Sequence, residues 1–162
     1  MKDREVRFTL PEDAPHLQHW LMEPGVLRWF PMINAREVED AVRVWIGYCK
    51  IHAALTVTDK GVPCGMANLY IQPYKKLAHQ CLFSIIVGKA YRGQGVGTLL
   101  LTELMKLAKE KFHIELLHLE VYEGNPATAL YRKMGFVEYG RHSHFIKEDG
   151  TYSAKVFMQR NL

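Results

Sequence analysis

Arg92-Gly93-Gln94-Gly95-Val96-Gly97 sets three glycines at alternate positions between a strand-like run and the start of an amphipathic helix. Glycine adopts backbone angles that other residues avoid, so N–H groups in such a loop can approach a ligand closely. The first turn of a helix leaves N–H groups unpaired and carries about half a positive charge, which together make a seat for a pyrophosphate. Lys89 and Arg92 add side-chain charge at the same end. An ordinary glycine-rich turn is the alternative, because alternate glycines alone are a weak signal. A P-loop would continue with Lys and Ser/Thr, whereas Thr98-Leu99 follows here. A dinucleotide fingerprint would place its third glycine one position later, inside the first strand–helix unit. Glu115 lies near the distance of a ribose-binding acid, but the missing glycine and the late position argue against that reading.

A second group of candidates follows the helix. Leu117, Leu119 and Val121 alternate with His118, Glu120 and Tyr122, giving a strand with one apolar and one polar face. Glu120 and His118 on the polar face are candidate proton acceptors.

The elements that must position these residues read as mixed α/β. Val6 to Thr9 predicts a first strand; Thr9 and Glu12 have capping-box spacing ahead of a helix bearing Ala14, Leu17 and Leu21. Asn34 with Glu37 predicts a second cap, before Val38, Ala41, Val42, Trp45 and Ile46. His52–Thr58 and Cys64–Ile71 form a hairpin around Asp59-Lys60-Gly61. Cys81–Val87 is nearly all apolar, as expected of a strand covered on both faces. Val96, Leu100, Leu104, Leu107 and Ala108 mark the long helix after the glycines. Asn125 as cap, Pro126 as first helical residue and Gly135 past the end frame a short helix. Phe136–His144 and Tyr152–Gln159 close the chain as a hairpin around Glu148-Asp149-Gly150. The helix between the two central strands makes them parallel.

The 162 residues are 48% hydrophobic and 23% charged, which suits one domain over residues 1–162 and argues against disorder. A net charge of +4 falls short of a nucleic-acid-binding stripe. Cys49, Cys64 and Cys81 have neither metal-pair spacing nor a disulfide pattern, so no metal is expected. Met1-Lys2-Asp3-Arg4-Glu5 carries no leader pattern, and no apolar run is long enough to span a bilayer, so a soluble cytoplasmic protein with no membrane partner is expected.

Arg92-Gly93-Gln94-Gly95-Val96-Gly97 resembles the R/Q-x-x-G-x-G/A signature of the GNAT superfamily of N-acetyltransferases. Leu119-Glu120-Val121, Asn125 and Leu130-Tyr131-Arg132-Lys133-Met134-Gly135-Phe136 resemble that family's second signature, and the element order matches along the whole chain. The resemblance implies the GNAT acyl-CoA N-acyltransferase fold: a mixed, mostly antiparallel sheet with a central parallel pair and about four flanking helices. It implies acetyl-CoA as cosubstrate. Ile85, Ile86 and Val87 would pair with the pantetheine arm where the strand splays from its neighbour. The N–H groups of Arg92, Gly93, Gln94, Gly95, Val96, Gly97 and Thr98 would cradle the pyrophosphate, Asn125 would contact the cofactor arm, and Tyr131 would lie beside the thioester sulfur. Glu120 matches the general base of the ribosomal-protein N-terminal acetyltransferase branch. Other branches place a carboxylate at the start of the cofactor strand, where this chain has Cys81, Leu82, Phe83 and Ser84.

An amine of pKa about 8 to about 10.4 must lose a proton before it attacks a thioester. Glu120, partly desolvated, is the expected base, directly or through water, with His118 as the alternative. Backbone N–H near Val87 would meet the oxyanion and Tyr131 would protonate the leaving thiolate; a core aromatic is the bland alternative for Tyr131. Trp20, Met22, Trp29, Phe30 and Met32 either line the acceptor pocket or pack the core, and Tyr70 lies on the facing side. The expected reaction is acetylation of a primary amine on a small molecule. A protein N-terminus or lysine is the first alternative, and a non-catalytic acyl-CoA sensor the second. A homodimer is compatible with the sequence, which carries no signal of its own for oligomeric state.

Overall fold

A computed structural model describes residues 3–162; Met1 and Lys2, where the leader reading begins, lie outside the described residues. Arg4–Phe8 (β1) leads through a short turn to Ala14–Leu21 (α1) and Ala35–Gly47 (α2). Three strands follow: Ala54–Asp59 (β2), Val62–Tyr70 (β3) and Gln80–Val87 (β4). Val96–Glu110 (α3), Leu116–Tyr122 (β5), Thr128–Lys133 (α4), Val137–Glu148 (β6) and Thr151–Asn161 (β7) complete the chain. Element order agrees with the pattern reading. The sheet runs β1-β2-β3-β4-β5-β7-β6, and β4–β5 is its parallel pair, as the intervening α3 requires. Every other neighbouring pair is antiparallel. β2 and β3 meet through the two-residue turn Lys60-Gly61, whose φ angles of 50° and 81° match the strand twist.

Alternation along the strands splits the core between two sheet faces. Leu17, Trp20 and Leu21 of α1 and Val38, Val42 and Trp45 of α2 pack on Met66 and Ile86. On the opposite face Val96, Leu100, Leu101 and Leu104 of α3 pack on Val57, Leu69, Phe83, Leu119 and Met158. No helix among the described residues is long and apolar enough to cross a membrane.

Three local expectations need correction. The α1 entrance is not capped by Thr9 and Glu12. Asp13 accepts the Leu10 N–H at 2.9 Å, while Thr9 is drawn into the sheet, its N–H on Ala54 O at 2.9 Å and its hydroxyl on Thr56 at 2.9 Å. Asp13 also receives Arg7 at 2.7 and 2.8 Å and the Thr56 hydroxyl at 3.0 Å. Burial raises its carboxyl pKa, but these hydrogen bonds outweigh burial and hold it below the usual carboxylate range. The Asn34 cap holds, accepting the Glu37 N–H at 2.9 Å.

The second correction concerns β4. Only Cys81, Phe83 and Ile86 are buried; Leu82, Ser84, Ile85 and Val87 are half-buried because they border a cleft rather than a closed core. The third concerns α4, which begins at Thr128, two residues beyond Pro126. Asn125 accepts the Ala127 N–H at 2.9 Å, so it shapes the turn ahead of the helix instead of capping it.

Candidate functional site

β4 and β5 part company inside the sheet. Their parallel register covers Gln80–Leu116, Cys81–Leu117 and Leu82–His118, and then stops although both strands continue. Beyond that point β4 keeps its other edge on β3 as far as Val87–Gly65. Gly88 N–H donates to Cys64 O at 2.9 Å, so strand alternation turns Ile86 and Ser84 towards β3 and Phe83, Ile85 and Val87 towards the gap. The backbone of Ile85 and Val87 therefore faces the opening, as expected for an arm-binding edge. Ile86 does not: its backbone pairs with Met66 and its side chain joins the α1–α2 core.

The gap opens into a cleft of ≈ 860 Å³. Its lining joins the glycine loop (Arg92, Gly93, Gly95, Val96, Gly97, Thr98), the splayed strands, and Asn125, Leu130 and Tyr131 around α4. Gly93 and Gly95 have φ of 68° and 82°, a conformation costly for any residue with a Cβ. The first backbone bond of α3 is Leu99 N–H to Gly95 O at 3.0 Å, which leaves the N–H groups of Val96, Gly97 and Thr98 without a helical partner. Gly97 has a different reason for its size. A Cβ there would come within 3.0 Å of Leu130 Cδ2, so glycine brings α4 close to the α3 entrance. N–H groups free of helical partners at this entrance can receive an anionic group, and the open β4 edge borders the same cleft.

Two long side chains of the loop, one cationic and one a neutral amide, behave differently from expectation. Arg92 lines the cleft, but its Nε is engaged by Val87 O at 3.0 Å. Gln94 is outside the lining; its amide donates to Ala90 O at 2.9 Å, and its side-chain oxygen accepts from Arg4 at 3.0 Å. Arg4 also donates to Gln94 O at 2.5 Å and to Asp59 at 3.3 Å, so β1 pins the loop from outside. Nothing in the spacing of the sequence pointed to Arg4.

Tyr131 is 8% exposed, edge-on to Phe83 and Phe136 at 6.1 and 6.4 Å between ring centres, and it borders the cleft. Burial pushes its hydroxyl up to about 12, so it holds its proton at neutral pH. Glu120 also borders the cleft but is more exposed than expected, and its Oε2 is 2.8 Å from Lys155 Nζ. His118 is outside the lining; its Nε2 lies 2.6 Å from Gln80 Oε1, and burial lowers its pKa. That environment suits a neutral, structural imidazole. Cys81, buried with its thiol pushed up to about 12, is inert.

The wall on the α1–α2 side holds Trp29, Phe30 and Met32, with Tyr70 on the facing strand, so these side chains border the cleft rather than fill a closed core. Trp29 reaches across to the β5–α4 turn, 3.9 Å from where a Cβ on Gly124 would stand. Tyr70 shares a hydrogen bond with Ser84 at 2.8 Å. Trp20 is core and Met22 is exposed, so the aromatic cluster divides between roles. Lys155 and Phe145 complete this wall and were missed, because β6 and β7 contribute them through long-range pairing. Phe30, Met32, Tyr122 and Phe145 also border a second hollow of ≈ 250 Å³ that continues outward.

A family model described as Acetyltransferase (GNAT) family matches residues 14–136. An N-alpha-acetyltransferase of Saccharolobus solfataricus is 44% identical over 135 residues, covering 80% of this chain and 69% of that protein. A [ribosomal protein bS18]-alanine N-acetyltransferase of Haemophilus influenzae is 41% identical over 78 residues, covering 48% of this chain and 53% of the other. Against three of the curated relatives the match spans little more than half of each protein, 55%, 53% and 60%. A Salmonella typhimurium structure solved with its cofactor acetyl-CoA shares the fold at a TM-score of 0.79 and 18% identity, covering 98% of this chain and 93% of that one.

Proposed function

This chain belongs to the acetyltransferase (GNAT) family, and from that premise we propose that it transfers an acetyl group from acetyl-CoA to a primary α-amine. The observation that carries the reading is the end of β4–β5 pairing at Leu82 and His118. It leaves the open edge of Phe83, Ile85 and Val87 between a glycine-lined helix entrance and Tyr131. The names of the relatives at 41% and 44% identity support an α-amine acceptor. The second hollow supports an acceptor longer than a single amino acid, such as a peptide N-terminus. Amino acids fall in the same class and remain within the small-molecule expectation.

Acetyl-CoA supplies an activated thioester. The N–H groups of Val96, Gly97 and Thr98 bind anionic oxygens, with Gly93 and Gly95 holding the loop in shape. Glu120 takes the proton of the acceptor ammonium, so that the neutral amine can attack. The N–H of Val87 faces the gap and is placed to stabilise the oxyanion. Tyr131, kept protonated by burial, gives its proton to the departing thiolate as the C–S bond breaks. The proton that the amine nitrogen sheds on becoming an amide passes to solvent, from which Tyr131 is restored. His118, tied to Gln80 outside the cleft, is left out of this chemistry.

A thiol-release assay with acetyl-CoA over amino acids, lysine and N-terminal peptides tests the proposal. Turnover on α-amines is the expected outcome. Thermal stabilisation by acetyl-CoA with no turnover on any amine would replace it with the sensor reading.

A further inference from the structure

We propose that the Lys155–Glu120 ion pair selects acceptors whose α-amine is accompanied by a carboxylate. The inference rests on the reading of Glu120 as the group that receives the acceptor's proton.

Lys155 stands on β7 opposite Tyr122 of β5, and both Lys155 and Glu120 line the cleft. Nζ lies 2.8 Å from Glu120 Oε2 and 4.2 Å from the centre of the Phe145 ring. The Lys155 side chain is 15% exposed against 35% for Glu120, so the lysine is the more enclosed partner. Among the described lining residues the only other charged side chain is Arg92, whose Nε is engaged by Val87 O. The carboxylate that would meet an incoming ammonium therefore already holds one, an alkylammonium of this chain seated on an aromatic face.

An acceptor ammonium that meets Glu120 competes with Lys155, which holds its Oε2, for the same carboxylate. A bare amine draws that carboxylate away from Lys155 and leaves the enclosed lysine with weaker pairing, which is costly for a poorly solvated charge. An acceptor with its own carboxylate makes the exchange balanced. Its ammonium takes Glu120, its carboxylate takes Lys155, and Phe145 keeps the lysine in the cleft to receive it. Discrimination then lies in the lysine and proton transfer in the glutamate. The carboxylate has two sources, the α-carboxylate of a free amino acid or an acidic side chain next to a peptide N-terminus.

Calorimetric titration of the protein loaded with CoA, which cannot react, separates these cases. The probes are methionine against methioninamide, and a Met-Glu-Ala-Ala amide against its Met-Gln counterpart. At least one carboxylate probe is expected to bind about tenfold more tightly than its neutral twin. Lys155→Met is expected to erase that ratio and Lys155→Arg to keep most of it. Equal affinities within both pairs, an undiminished ratio in Lys155→Met, or no binding of any probe would overturn the inference. A parallel thiol-release assay with acetyl-CoA distinguishes the two failures. Turnover on the amines without a carboxylate preference sinks only the role of Lys155, whereas absence of turnover on every amine sinks the acetyltransfer reading as well.

Discussion

The two sides of the cleft are built from different materials. On the α3 side the binding groups are backbone: two residues at positive φ, three unpaired N–H groups and an open strand edge within residues 83–98. On the α1–α2 side they are side chains gathered from distant segments, with Trp29 and Phe30 before α2, Tyr70 on β3, Glu120 on β5, Phe145 on β6 and Lys155 on β7. A backbone site is fixed by local conformation and tolerates change in whatever points away from it. A side-chain site changes with any one of its contributors. The first suits a constant ligand and the second a variable one.

Tyr131→Phe probes the junction of the two sides and carries the largest expected effect. kcat in the thiol-release assay should fall about 100-fold, with calorimetric acetyl-CoA affinity retained. An unchanged kcat would mean that the two sides meet without a tyrosine acid. Because burial raises the Tyr131 pKa to about 12, the proton is lost only above the ordinary range near 10. The alkaline limb of the kcat–pH profile should therefore lie well above 10, and a limb centred at 10 would show a solvated hydroxyl.

Next is the part-buried ion pair that ties the start of α1 to β1, away from both sides of the cleft. Asp13→Asn removes the partner of Arg7 and should cost about 2 kcal/mol in denaturant unfolding. The folded-state pKa of Asp13 is depressed, so its contribution is present above the ordinary carboxylate value near 3.8 and is lost as pH falls through the folded value. The stability difference between wild type and variant should shrink on acidification; a constant difference would contradict that origin.

Gly95→Ala tests the backbone side. At φ 82° a Cβ costs about 1–2 kcal/mol; an empty loop that relaxes out of this conformation must recover that cost on binding, so acetyl-CoA affinity should weaken about tenfold by calorimetry. The KM for the amine should stay the same, and a selective change in that KM would invert the comparison. Trp29→Ala should do the reverse at smaller scale, raising acceptor KM about threefold without altering acetyl-CoA affinity.

The same contrast explains what the sequence made legible. The glycine loop, the long helix and the parallel pair follow from local pattern, and the structure reproduces each. The open edge of β4 was expected only through the family resemblance; its apolar composition hides it, because Ile85 and Val87 look the same whether they face a neighbour or a gap. Which way the Ile86 backbone turns was illegible for a related reason: its partner depends on strand phase, which only the β3 register reveals, although the residue borders the cleft. Lys155 and Arg4 were invisible because their partners lie 35 and 90 residues away in sequence, Glu120 and Gln94 respectively. Thr9 misled because its hydroxyl bonds Thr56 within the sheet and not an N–H at a helix entrance.

Hydrogen exchange of the whole chain, free and with saturating acetyl-CoA, tests the backbone site most directly. Amides in 83–87 and 93–98 should become protected while those in 27–32 exchange as before. Protection that spares 93–98, or that falls on 27–32 instead, would contradict the placement of the cosubstrate at the glycine-lined entrance of α3.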